Sequence, residues 1–149
     1  MNYARLNLSA AYSSIGKNGE ALKTLQDAAA IDQSNDRIFY NLGLLYYELQ
    51  NIPEAVTNFE KATRLGSTNP GVYYNYGLLL QQQEKLSDAE KVLLKGYSLS
   101  PNATNINYAL AYLYIRENLP QKARPHALAL RRLDPSNPDY QPIFKSLGM

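Results

Sequence analysis

The sequence predicts an all-α solenoid of repeated helical hairpins, and three observations carry that prediction. Chemically similar residues recur every 34 positions, the mark of a stacked-repeat architecture. Within each period the apolar residues keep the i, i+3, i+4, i+7 spacing of a helix rather than the alternation of a strand. Gly, Pro and Asn gather between these stretches, where helices stop and start.

Ala21, Ala55, Ala89 and Ala123 stand 34 apart, as do Ile31, Leu65, Leu99 and Leu133, and Leu8, Leu42, Tyr76 and Leu110. Small residues share the step (Ser9, Gly43, Gly77, Ala111), and so do large ones (Tyr12, Tyr46, Leu80, Tyr114). Four uninterrupted periods result, 2–35, 36–69, 70–103 and 104–137, with 138–149 left over. Phe39, Leu42, Gly43 and Tyr46 form one helical face and Ala55, Phe59 and Ala62 another, so each period holds two helices. First helices are expected near 3–15, 37–49, 71–83 and 105–117, and second helices near 19–31, 53–65, 87–99 and 121–132.

The turns inside each period are Gly16-Lys-Asn-Gly19, Gln50-Asn-Ile-Pro53, Glu84-Lys-Leu-Ser87 and Asn118-Leu-Pro120, and Ser87 with Glu90 reads as a capping box. Pro125 falls inside the last second helix. It is predicted to leave the Gln121 carbonyl without its helical partner and to bend the helix, at about 3 kcal/mol if uncompensated. In the remainder, Asp139 is expected to cap a short helix with Pro142 in its first turn and Tyr140, Ile143, Phe144 and Leu147 on one face.

Composition removes several classes of function. At 149 residues the chain is one domain in size. Zero Cys excludes disulfide scaffolds, thiol nucleophiles, iron–sulfur clusters and thiolate zinc sites. The single His126 excludes an all-histidine metal site and, with no legible partner, reads as a surface residue. Fifteen basic against thirteen acidic side chains is too balanced for nucleic acid or an anionic membrane as the main partner. No apolar run approaches the roughly 18 residues of a spanning helix, and the start lacks the pattern of a signal peptide. The chain is expected to be soluble, cytoplasmic or periplasmic, with no membrane insertion. No carboxylate pair, phosphate loop or Ser/His/Asp set appears, and Glu20, Glu54, Glu60 and Glu90 fall on outward positions. No catalytic residue, metal or cofactor is expected.

The string Phe39-Tyr-Asn-Leu-Gly-Leu-Leu-Tyr46, followed by Ala55, Phe59 and Ala62 at period 34, resembles a tetratricopeptide repeat (TPR) over residues 2–137. The resemblance implies a right-handed superhelical solenoid of helix-turn-helix repeats, a capping helix at 138–149, and a non-catalytic protein-interaction module with a concave groove. There are departures. Arg5 and Asn107 stand where Phe39 and Tyr73 do, and Gly96 and Leu130 interrupt a ladder of small alanines.

At 100° per residue, Tyr40, Leu44 and Tyr47 point away from the Phe39 face; their counterparts are Tyr74, Leu78 and Gln81, then Tyr108, Tyr112 and Ile115. The resemblance places these in the groove, and the compatible alternative packs the tyrosines on the neighbouring first helix. Asn7, Asn41 and Asn75 form a further ladder of amides suited to a peptide main chain. The expected peptide-binding set is Arg37, Tyr40, Asn41, Leu44, Tyr47, Glu48, Tyr74, Asn75, Leu78, Gln81, Gln82, Tyr108, Tyr112 and Arg116. Its ligand should be a neutral or mildly apolar peptide with any acidic residue toward Arg116.

Leu6 and Ala10 occupy the positions of the Lys and Asn that clamp terminal carboxylates in other TPRs, which disfavours that mode. The basic cluster Lys122, Arg124, Arg131 and Arg132 reads as a solvated outer face, and a neutral, tyrosine-rich groove disfavours RNA. The second functional reading is architectural: a spacer or weak self-association unit of a larger protein, acting through an uncovered N-terminal end.

Overall fold

The computed structural model describes residues 2–149. First helices are α1 (Asn2–Ser14), α3 (Asp36–Glu48), α5 (Pro70–Gln82) and α7 (Thr104–Arg116); second helices are α2 (Asn18–Ile31), α4 (Ile52–Arg64), α6 (Leu86–Leu99) and α8 (Pro120–Leu133). A 3-10 turn, Pro138–Tyr140, leads into α9 (Gln141–Ser146), and no strand occurs among the described residues. Each of the eight repeat helices lies within one residue of its expected bounds. No described helix is long and apolar enough to cross a membrane.

The chain divides into two compact units, one ending at Ser67 and one running from Thr68 to Met149. In the first, α2 packs on both α1 and α3, and α3 packs on α4. In the second, α5 and α7 lie together, each against its own second helix, and α6 and α9 also pack on α7.

One turn recurs inside every repeat. Gly16, Gln50, Glu84 and Asn118 take φ of 75°, 60°, 58° and 56°, although only the first is glycine. The N–H of the following residue, Lys17, Asn51, Lys85 or Leu119, then donates to the carbonyl of Tyr12, Tyr46, Leu80 or Tyr114, closing a Schellman turn. That geometry overturns the expected capping box. Lys85 becomes the residue before α6, Ser87 is already inside the helix, and no side chain caps it.

The first helices open differently. Asn35 and Asn69 accept from the N–H of Arg37 and Gly71, and Asn137, two periods beyond Asn69, accepts from Asp139. Asn137, not Asp139, therefore caps the tail. Tyr140 and Leu147 continue the buried positions Ile38, Val72 and Ile106 and Leu45, Leu79 and Leu113, so the tail is a shortened fifth first helix. Arg124 fastens its end, donating from Nη2 to the Leu147 carbonyl at 2.9 Å.

Small residues stand where a partner side chain comes close. A Cβ on Gly43 would lie 2.5 Å from the Phe59 ring, and one on Gly77 would lie 2.6 Å from Leu93. In the same register the first repeat has Ser9 and Leu25 and the last has Ala111 and Ala127. Not every ladder is core: Ile31, Leu99 and Leu133 are exposed, as is Leu8, whose helix packs chiefly on α2. Helix α8 runs unbroken through Pro125, which sits one turn beyond its start.

Candidate functional site

Each unit carries a cavity on its first helices. In the first unit, a cavity of about 270 Å³ is lined by Leu6, Ser9, Ala10 and Ser13 of α1, Leu25 of α2, and Asn41, Leu44, Leu45 and Glu48 of α3. Three of its four α1 residues, Ser9, Ala10 and Ser13, are small, and Asn41 lines it from the opposite helix. In the second unit, an open cavity of about 620 Å³ is lined by Tyr74 of α5, Thr104, Asn105 and Tyr108 of α7, and Asn137, Pro138, Asp139, Tyr140 and Pro142 of the tail. Tyr108 has its ring centroid 5.8 Å from that of Tyr140 and stacks at 6.4 Å on Tyr112.

The expected residues are thus gathered in part. Asn41, Leu44 and Glu48 share one cavity, and Tyr74 and Tyr108 share the other. Tyr40 is half-buried against Phe59, their ring centroids 6.0 Å apart, and Arg37 is exposed with its guanidinium 5.2 Å from the Tyr3 ring. Tyr47, Gln82 and Tyr112 are exposed and Asn75 and Leu78 half-buried; none of them lines either cavity.

Two expectations change. Gln81 is only 3% exposed and its Nε2 donates to the Ala109 carbonyl at 3.5 Å, because α5 lies against α7 at that level. It is packed inside the unit rather than offered to a ligand. Arg116 donates from Nη2 to both carboxylate oxygens of Glu84, at 3.0 and 3.1 Å, so its charge is met within the chain.

Sequence reasoning missed the tail wall and misread His126. The ring is buried, edge-on to Tyr97 at 5.0 Å and stacked on Tyr114 at 5.9 Å. Asn107, wholly buried, donates through Nδ2 to the carbonyls of Pro101 and Ala103. Those two bonds fix the amide, so its Oδ1 accepts from His126 Nδ1–H at 3.0 Å. Burial holds His126 below its ordinary value. The signal in the sequence was Asn107 standing where the two preceding repeats carry Phe39 and Tyr73.

Beside this pair, Glu90 accepts from the Tyr114 hydroxyl at 2.8 Å and from Lys122 Nζ at 3.0 Å. The hydrogen bond from Lys122, then that from Tyr114, holds the Glu90 carboxyl below the usual range. Burial, then the bond to Glu90, pushes the Tyr114 phenol up. Glu90 is therefore not a free outward acid. Arg132 donates to Asn102 Oδ1 at 2.8 Å, so three of the four residues in the basic cluster already have partners in the chain.

Two family profiles match the chain, one described as TPR repeat over residues 10–50 and 43–84 and one as tetratricopeptide repeat over residues 74–138. No curated protein sequence matches it. Among solved structures, YrrB, described as a TPR protein with an unusual peptide-binding site, is 26% identical with a TM-score of 0.82, over 97% of this chain and 73% of YrrB. Pseudomonas aeruginosa pilF is 23% identical with a TM-score of 0.83, over 98% of this chain and 67% of its own. A chain of the APC/C hetero-tetramer Cut9–Hcn1 is 21% identical with a TM-score of 0.80, over 99% of this chain and 30% of its own. The last two are likenesses of fold. With helical pairs at period 34, the same turn in every repeat and family profiles spanning residues 10–138, the chain belongs to the tetratricopeptide repeat family, whose repeats generally mediate protein–protein interaction.

Proposed function

We propose that the chain is a non-catalytic scaffold that holds a peptide segment of a partner protein against the first helices of its repeats. The observation that carries this reading is the pair of cavities, each lined by first helices and each containing residues with an aromatic body or a side-chain amide. Such groups supply stacking area and main-chain hydrogen bonds to an extended peptide. The description of YrrB as having a peptide-binding site supports the same reading. In this proposal 2–137 acts as one array of four repeats and 138–149 as its cap.

A capped-peptide array should return binders that protect amides of α3, α5 and α7 from exchange. Tyr74→Ala should then weaken binding by about 1–2 kcal/mol and Asn41→Ala by about 1 kcal/mol. Protection confined to the second helices, or unchanged affinity in both variants, would overturn the proposal. The architectural reading has one observation in its favour: Tyr3, Leu8 and Ile15 are exposed together on α1 and its turn. It requires concentration-dependent dimers, and a monomer by light scattering at about millimolar concentration would dismiss it.

A further inference from the structure

The larger cavity has an uneven chemistry. Three phenol rings, Tyr74, Tyr108 and Tyr140, meet a single carboxylate, Asp139, and no Lys, Arg or His lines the space. The cap geometry leaves that carboxylate available. Asn137 Oδ1 takes the Asp139 N–H, and among the described residues Asp139 joins no ion pair. Of the unit's cations, Arg116 pairs with Glu84, Lys122 with Glu90 and Arg124 with the Leu147 carbonyl, and none of the unit's Lys or Arg side chains lines the cavity. The excess positive charge of the chain's second half is therefore not directed into this cavity.

From these observations we infer that the cavity receives a basic side chain, arginine in preference to lysine, from the partner's peptide, an inference that rests on the peptide-binding reading above. A planar guanidinium can lie on a tyrosine face while two of its N–H groups reach a carboxylate, an arrangement an ammonium cannot match. The volume of about 620 Å³ exceeds one side chain and leaves space for the flanking main chain. Asn105 Oδ1 accepts from the Ile106 N–H, which turns its other amide atom toward donating to a peptide carbonyl. The preferred charge is thus opposite to the one expected beside Arg116 from the sequence.

The test uses the full chain with three probes, Nα-acetyl-arginine amide, its neutral isostere Nα-acetyl-citrulline amide, and Nα-acetyl-glutamate amide, followed residue by residue by NMR. Arginine amide should shift the resonances of Asn105, Tyr108 and Asp139 and bind about tenfold more tightly than citrulline amide, with the difference shrinking in high salt. Asp139→Asn, a change at an exposed position, should abolish that preference without altering the fold, and Tyr108→Leu should weaken both probes. Equal binding of arginine and citrulline, preference for glutamate, or an arginine preference that survives Asp139→Asn would each overturn the inference. Array peptides run in parallel separate the two ideas. Peptides that protect the first helices without favouring arginine sink the charge preference alone, whereas arginine amide binding here with no peptide protecting the first helices sinks the peptide-binding reading.

Discussion

A methyl group on Gly77 would fall 2.6 Å from Leu93 Cδ2, whereas one on Gly96 would fall 2.7 Å from Tyr73 Cβ. Leu93 Cγ lies at the same 2.6 Å, but both atoms lie beyond Cβ and can move by a turn about χ1, whereas the tyrosine Cβ is fixed to its backbone. After the roughly 1 kcal/mol of helix propensity that alanine restores, Gly96→Ala should still destabilise by about 2 kcal/mol and Gly77→Ala by less, read as shifts in denaturant midpoint. A second residue-scale expectation concerns pH. His126 is held below its ordinary value of 6.5 by burial, so the unfolded chain takes up a proton that the native chain resists. Stability should fall as pH drops below about 6.5, continuing down to the lowered native value. The groups facing the ring are Tyr97 of α6 and Asn107 and Tyr114 of α7, with Glu90 and Lys122 bonded to or lying over Tyr114. Glu90 acts in a separate window: its stabilisation is present above the ordinary 4.5 and lost as pH falls through its lowered value. Denaturant midpoints between pH 7.5 and 5 should therefore slope in the parent and flatten in His126→Gln.

At the scale of the element, the recurring Schellman turn sets where each second helix begins and does so at some conformational cost. A non-glycine residue in the left-handed region loses about 1–2 kcal/mol relative to its preferred conformation. Gln50 carries φ 60° on an exposed turn, with no side-chain partner among the described residues that a glycine would forfeit. Gln50→Gly should raise the melting temperature, by up to about 1 kcal/mol of stability once the greater freedom of unfolded glycine is subtracted. A lower melting temperature would mean that Gln50 itself holds the turn. The turn closes the end of the helix before it, and side-chain caps open the next helix independently of it: Asn51 caps α4 directly after such a turn, Asn69 caps α5 after a like turn at Gly66-Ser67, and α6 begins with no side-chain cap.

For the whole molecule, the proposal that 138–149 is a cap has a direct consequence. Tyr140, Ile143, Phe144 and Leu147 are buried, and the segment packs on α7 and α8. Ending the chain at Asn137 removes that apolar burial, worth about 1.5–3 kcal/mol for each large side chain, and uncovers the surface beneath it. The shortened protein should melt lower and bind an apolar dye; unchanged melting with no dye binding would show that the tail is not a cap. Unit by unit, the interior depends on contacts between neighbouring helices, as expected for a repeat protein.

The sequence by itself determined the period, the eight repeat helices and the positions of their turns, because these follow from spacing along a single helix and from residues that stop it. It also placed Asn41, Leu44, Glu48, Tyr74 and Tyr108 where the two cavities form. Which side chains meet across helices was decided only in the folded chain. Tyr114 finds Glu90 at 24 residues' separation, His126 finds Asn107 at 19, and Arg116 finds Glu84 at 32. The physical reason is that helical periodicity assigns a residue to a face, while the depth and direction of its side chain depend on the neighbour packed there. That is why Gln81 shares a register with Tyr47 and is buried, why His126 is interior, and why the free carboxylate belongs to Asp139 rather than to a cap.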